Sequence, residues 1–515
     1  MTHEHETKGH GRDRSDDRNC MGPESHPFPP LQQDLVAGQA PSTSTITEQP
    51  AKAPSPWEGA RGWKGLLSVL ALMLSALIWI GGLSESLSRP SVVNALDIRQ
   101  MELAVLAAEA LPSSLRPLLV GNDPRGTLIE ALTKLSKDSA SPPLAAQRLE
   151  LVLLQRSKGE KAKNPQAPAL AELTPQVDAP RRPLLKALDR PTKLTPQQQE
   201  ALLAPWGERS LVAQLGCEQL GGPTNACPAS RLAPWLLLRL FTLTLFPALL
   251  MMAGVVLLVR RLWLLQRGLL PSPPPLVGPP LSVVDATLLI AGGFVLLGEV
   301  FLPALTQGPL QRLLSAAGFP AATRQGVEVL GSYLTLMLAP LAILFLMLRG
   351  KTAAPRGGWL QWGWKPLKAV TVPAFKVFLM MLPLVALVSW LLQLVWADPG
   401  GSNPLLEMVL NSSDGVALLA FALTAVVLAP VFEETLFRGV LLPVLGRYLG
   451  PVVAVLMSAL VFATAHLSLG ELVPLTVLGM GLGVLRWQSG RLSTSVCLHA
   501  LWNSLTFLNL VLLAR

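Results

Sequence analysis

Long apolar runs recur along this chain, most densely in its second half, and each needs a solvent that tolerates it. GLLSVLALMLSALIWIGGL at 65–83 is the first. Others lie near 234–259, 284–305, 328–348, 376–396, 416–436, 451–468, 472–486 and 493–513. A helix of about 20 apolar residues crosses the hydrocarbon core of a bilayer, and several of these runs approach or pass that length. Half of the 515 residues are hydrophobic and only 15% are charged, too little charge to coat a soluble protein of this size. The expected fold class is all-α: a polytopic transmembrane helical bundle with an inserted, mostly helical soluble domain.

The segments between the runs differ in kind. Residues 1–62 carry THEHETKGHGRDRSDDR and PSTSTITEQPAKAPSP, a polar, Pro- and Ser-rich composition that cannot offset its chain entropy, so a disordered tail is expected. His3, His5 and His10 read as solvated tail residues. The run that follows, within a first transmembrane helix over 63–84, lies too far behind this leader to be a cleavable signal. Over 85–232, stretches such as RGTLIEALTKLSK and LAAQRLELVLLQRSK place apolar residues at helical spacing with charges between them. That pattern is the inserted domain, and no catalytic motif is visible in it. Residues 233–370 then hold membrane helices and a proline-rich cytosolic loop, LQRGLLPSPPPLVGPP, before the last segment, 371–515.

Charge gives the orientation. The formal net charge is +9, and basic residues gather in RRLWLLQRG at 260–268, in 349–368, at Arg438 and Arg447, and at Arg486 and Arg491. Such loops stay on the cytoplasmic side, which puts the N-terminus in the cytoplasm and the 85–232 domain outside. Cys217 and Cys227 bracket a Gly-Gly-Pro turn within that domain. An oxidising compartment would let them form a disulfide, and two unpaired thiols are the alternative. No basic run is interleaved with aromatics, so no nucleic-acid partner is expected. The protein is read as integral to a membrane (plasma membrane or thylakoid), with the bilayer itself as a partner.

Against this apolar background, VFEETLFRGV at 431–440 carries Glu433, Glu434 and Arg438. A charge at the bilayer centre costs roughly 2.5 to 3.5 kcal/mol on the insertion scale. Glu434 and Arg438 are four apart, acid first, and pair on a helix. Glu433 is rotated about 100° from Glu434, so one guanidinium cannot serve both acids. The unpaired one, desolvated beside a like charge, is disfavoured as an anion. Two carboxylates set apart in this way suit acid–base chemistry. His466 and His499 are the only histidines beyond the tail; His499 shares a helix face with Asn503, and His466 with Phe462. Interhelical hydrogen bonds in membranes are commonly worth only about 1 kcal/mol, a poor structural return for so many polar groups. One polar cavity between the last helices, opening towards the cytosolic side, is the expectation.

EETLFR fits an E-E-x-x-x-R motif, FATAH an F-x-x-x-H motif and HALWN an H-x-x-x-N motif, in that order. Together they resemble the CPBP family, the CAAX prenyl endopeptidases and bacteriocin-processing proteins also called Abi, over roughly residues 370–515. The resemblance implies an intramembrane endopeptidase in which Glu433 activates water with help from His466. It further implies that Glu434 holds Arg438, and that His499 and Asn503 stabilise the oxyanion. The expected partner is a peptide or protein substrate, membrane-associated and prenylated in the eukaryotic relatives. Metal-free, glutamate-dependent chemistry is the reading adopted, since no H-E-x-x-H is present; a zinc held by Glu433, His466 and His499 is the alternative. The rival function is non-proteolytic, a transporter or proton relay, or an immunity or assembly factor of the same fold.

Overall fold

The computed structural model describes residues 55–515 apart from 90–91, 138–144, 158–169, 190–193, 222–226, 352–353, 397–400, 402–403 and 515. The tail expected over 1–62, with its histidines and Cys20, lies almost wholly outside the described residues. Among the described residues all regular structure is helical, and seven helices are long and apolar enough to cross a membrane. The protein is an all-α, polytopic integral membrane protein.

The first span, α1 (Trp63–Ser86), leaves Leu66, Leu70, Met73 and Leu77 exposed. A surface so apolar is stable only against lipid. Then comes a helical domain built from α2 (Val92–Ala110), α3 (Pro124–Lys137), α4 (Ala145–Ser157), α5 (Arg182–Asp189), α6 (Pro196–Leu203) and α7 (Leu211–Gln219). Its core buries Leu128, Leu149, Leu153, Leu184 and Leu215. Cys217 and Cys227 are joined in a disulfide, so of the two alternatives the bridge is the one formed. The core continues past the expected boundary at 232, because Leu236 and Leu240 at the start of the next span, α8 (Ala233–Gln266), pack into it.

The remaining spans are α9 (Val283–Ala316), α10 (Ala321–Leu348), α11 (Lys368–Val395), a long run α13 (Gly415–Thr464) and α15 (Leu492–Leu513). A short helix, α12 (Pro404–Asn411), lies between α11 and α13. The separate segment expected at 451–468 is the second limb of α13, which breaks at Gly450, where φ is +76° before Pro451. Only glycine adopts that backbone without strain. The segment expected at 472–486 is α14 (Leu472–Ser489), whose last turns carry Arg486 and Gln488; it falls outside the seven. Close helix approaches hold the bundle. A Cβ on Gly254 of α8 would lie 2.0 Å from the Leu379 carbonyl oxygen of α11, so only glycine fits there.

The two ends of the bundle are chemically unlike. At one, the Lys64–Asp285 ion pair joins α1 to α9. Arg447 donates to the carbonyls of Gly278, Pro279 and Leu281, and Arg491 to those of Gly363 and Lys365. This is the basic end. At the other, Arg89 beyond α1 donates to the Leu467 carbonyl in the α13–α14 turn, and Ser468 to that of Gly401. The helical domain sits here, with Ala95 and Leu96 of α2 packed on Val409, Leu410 and Leu510. This is the domain end.

Candidate active site

The first limb of α13 alternates α- and π-helical turns, with π segments at Leu423–Leu428 and Thr435–Leu441 flanking the twin glutamates. Such wide turns concentrate at functional positions. They place Glu434 and Arg438 wholly inside the protein, their side chains 0% exposed, while Glu433 keeps 16% of its surface. The difference divides their tasks. Arg438 Nη1 donates to Glu434 Oε1 at 2.8 Å and its Nη2 to the Gly479 carbonyl at 3.0 Å. Its guanidinium also lies 4.3 Å from the Phe462 ring centroid. Gly479 is required for that contact, because a Cβ there would stand 3.2 Å from Arg438 Nη2 and 3.0 Å from the Ala459 side chain.

Glu434 Oε1 accepts a second bond, from His499 Nδ1 at 3.0 Å. A carboxylate only accepts, so Nδ1 carries the hydrogen and Nε2 of a neutral ring carries the lone pair. His466 obeys the same logic: its Nδ1 lies 2.8 Å from the Phe462 carbonyl, another pure acceptor. Both Nε2 atoms then turn to one point, Glu433 Oε2, at 3.9 Å from His466 and 4.0 Å from His499. Phe462 wedges between the rings, with centroids 4.7 Å from His466 and 5.6 Å from His499. Asn503 Nδ2 donates one of its two hydrogens to the Ala425 carbonyl at 2.7 Å, leaving the other for a ligand. All six residues singled out from the sequence, Glu433, Glu434, Arg438, His466, His499 and Asn503, therefore converge. His499 differs from the expected oxyanion donor in one respect: with Nδ1–H committed to Glu434, it donates from Nε2 only as an imidazolium.

Two further polar residues reach the site from distant sequence. Tyr333 of α10 donates its hydroxyl hydrogen to Glu433 Oε1 at 3.1 Å. Glu299 of α9 shares with Tyr333 a groove of about 480 Å³ that also carries Gln307, Gln311, Gln325 and Glu328. The available signals were faint: Glu299 is the lone charge in LLIAGGFVLLGEVF, and Tyr333 is one of only two tyrosines.

Glu433, His466, His499 and Asn503 line a cavity of about 510 Å³ whose remaining wall is largely apolar. It meets the polar groove at Val329, Tyr333 and Met408. Towards the basic end it is closed by buried Leu436, Phe437, Ser493 and Ser495. Its other walls are Leu405 and Met408 of α12, Glu471 beside α14, and Leu510 of α15. The opening is therefore at the domain end, not on the basic side as expected. Helical periodicity fixes which residues share a face, but not towards which end a cavity between helices opens.

Zinc was the alternative for Glu433, His466 and His499. Each imidazole has its Nδ1 braced by an oxygen, as zinc ligands do. But donors 3.9 and 4.0 Å apart exceed the separation of about 3.4 Å kept by two ligands some 2.1 Å from a tetrahedral ion. Among the described residues no group of three His, Cys, Asp or Glu side chains is arranged to hold a metal. The set as folded does not fit a zinc ion.

Residues 415–505 match the family described as type II CAAX prenyl endopeptidase Rce1-like. The match covers the last helices alone, 91 of the 515 residues. The matched residues hold both glutamates, Arg438, both histidines and Asn503; Tyr333 and Glu299 lie outside them. The helical domain matches, over 93–238, a family described only as a domain of unknown function (DUF8675). No curated protein and no solved structure matches the chain.

Proposed function

We propose that the protein is an intramembrane endopeptidase in which Glu433 activates water. The observation that carries this reading is the convergence of two imidazole Nε2 atoms on Glu433 Oε2, at 3.9 and 4.0 Å, at the base of the cavity. These distances are too long for direct hydrogen bonds and suit a water about 2.8 Å from each group. Glu433 takes a proton as the water oxygen attacks the scissile carbonyl carbon. The resulting oxyanion accepts from the free Asn503 N–H. Collapse breaks the C–N bond, and the proton held by Glu433 passes to the leaving amine. Tyr333 steadies the other oxygen of Glu433. Glu434, anchored by Arg438, orients the His499 ring. The largely apolar cavity suits a lipid chain or apolar side chain, and the neighbouring Glu/Gln groove suits the polar backbone of the same peptide.

The test is incubation of purified protein with a library of lipidated and unlipidated peptides, comparing wild type with Glu433→Gln. Cleavage by the wild type alone, unaffected by exhaustive chelation, is the expected result. Indistinguishable product patterns would leave the non-proteolytic alternative standing, and loss on chelation would return zinc to the site.

A further inference from the structure

The catalytic cavity and the basic loops lie at opposite ends of the bundle, and this has a consequence for the substrate. Arg267, Arg349, Lys351, Arg356 and Lys365 flank or occupy connections at the basic end; at the cavity end Arg312 and Arg324 flank the short turn after α9, while segment 404–414 and turn 465–471, which border the cavity, contain no lysine or arginine. Asp414 and Glu471 occur in them instead. Lysine and arginine in short loops mark the cytoplasmic side. A disulfide between Cys217 and Cys227 belongs to an oxidising compartment, and it is carried by the domain packed at the cavity's end. Two independent signals, loop charge and thiol chemistry, thus agree on sides.

Resting on the peptidase reading above, we propose that this site takes its substrate from the extracytoplasmic side. The substrate class is the juxtamembrane segment of a membrane-anchored or lipidated protein exposed on that face. A prenylated C-terminus held in the cytoplasmic leaflet would meet the closed end, where Glu434 and Arg438 are 0% exposed beside buried Phe437 and Ser493. The helical domain occupies the rim: Ala95 and Leu96 pack with Val409 and Leu510, and Arg239 donates to the Leu512 and Ala514 carbonyls. A substrate reaches Glu433 by passing beside this domain, which is thereby placed to select it.

The experiment uses the full chain with Cys20 and Cys497 replaced by serine and the disulfide kept. Single cysteines are introduced at Thr506 in the cavity wall, Gln198 in the domain and Arg356 in a basic loop, and a membrane-impermeant maleimide is applied to intact cells and to inverted vesicles. Thr506→Cys and Gln198→Cys are expected to label in cells, at least tenfold more than in inverted vesicles, with Arg356→Cys showing the reverse. Should Thr506→Cys fail to accumulate, Glu407→Cys on the rim helix replaces it. Labelling of the cavity cysteine together with Arg356→Cys from the cytoplasmic side overturns the proposal. A second arm supplies one linker library on either face of a single-helix anchor. Wild type is expected to release only the extracytoplasmic reporter, and Glu433→Gln neither. Release of the cytoplasmic reporter also overturns it. Correct labelling with no release of either reporter counts against the peptidase and leaves the sidedness supported.

Discussion

Among the described residues, two pairs of glutamates sit within helical packing, Glu433 with Glu434 and Glu102 with Glu150, and they differ in what surrounds them. In the membrane, Glu433 and Glu434 have separate partners: Tyr333 for one, Arg438 and His499 for the other. Glu433 alone faces a cavity. In the helical domain, Glu102 and Glu150 lean on one another by a side-chain hydrogen bond, with Arg99 3.2 Å from Glu102. Burial, followed by the neighbouring Glu102, pushes the Glu150 carboxyl well above its ordinary range. Burial also raises Glu102, against the opposing pull of Arg99. Two carboxyls that hydrogen-bond must share a proton, so this pair is a closed structural unit. Buried acids do not by themselves make a site. Distinct partners and an open face do.

The sharpest way to break this contrast is to neutralise one acid of each pair. Glu433→Gln should lower peptide hydrolysis by about 10²- to 10⁴-fold, the range for a lost general base. Glu150→Gln should leave turnover unchanged. An equal loss in both would mean that the domain pair takes part in the chemistry. Next in size is Arg438→Met, which leaves the buried Glu434 carboxylate without its guanidinium partner, held by the His499 N–H alone. Loss of about 3–5 kcal/mol is expected, read as a large fall in the melting temperature of the purified protein.

Tyr333→Phe removes one charge-assisted hydrogen bond from Glu433. About a tenfold fall in kcat is expected, the equivalent of ~1.4 kcal/mol, just under the about 1.5–3 kcal/mol usual for bonds to charged groups, with melting unchanged. A melting shift without a rate effect would assign Tyr333 to structure alone. The smallest effect concerns pH. A carboxyl whose folded-state titration lies above its unfolded value binds more protons when folded. The stability it contributes is present in acid and lost as pH rises through the folded-state value. Hydrogen exchange of α2 and α4 in the whole protein should therefore quicken as pH rises above the ordinary glutamate range, after correction for intrinsic exchange. Glu150→Gln should flatten that dependence; a slope of the opposite sign would contradict the shared-proton pair.

How much of this could be read in the chain follows from where each residue stands. Glu434 and Arg438 are local, and helical spacing alone pairs them. His466, His499 and Asn503 could be gathered because polar groups are so few in these apolar helices. Tyr333 and Glu299 stand 100 and 134 residues before Glu433, and no local period links them to it; only the packing of α9 and α10 does. The direction of the cavity was likewise hidden. It depends on the closure of the basic end by Phe437 and Ser493 and on the break at Gly450, which turns α13 back on itself.

The most direct measurement is cleavage by metal-depleted wild type beside Glu433→Gln, in the same membranes and against the same membrane-anchored peptide. Full activity is expected in the first and none above background in the second. Cleavage that survives in Glu433→Gln, or that vanishes from the wild type when metal is stripped away, would contradict it.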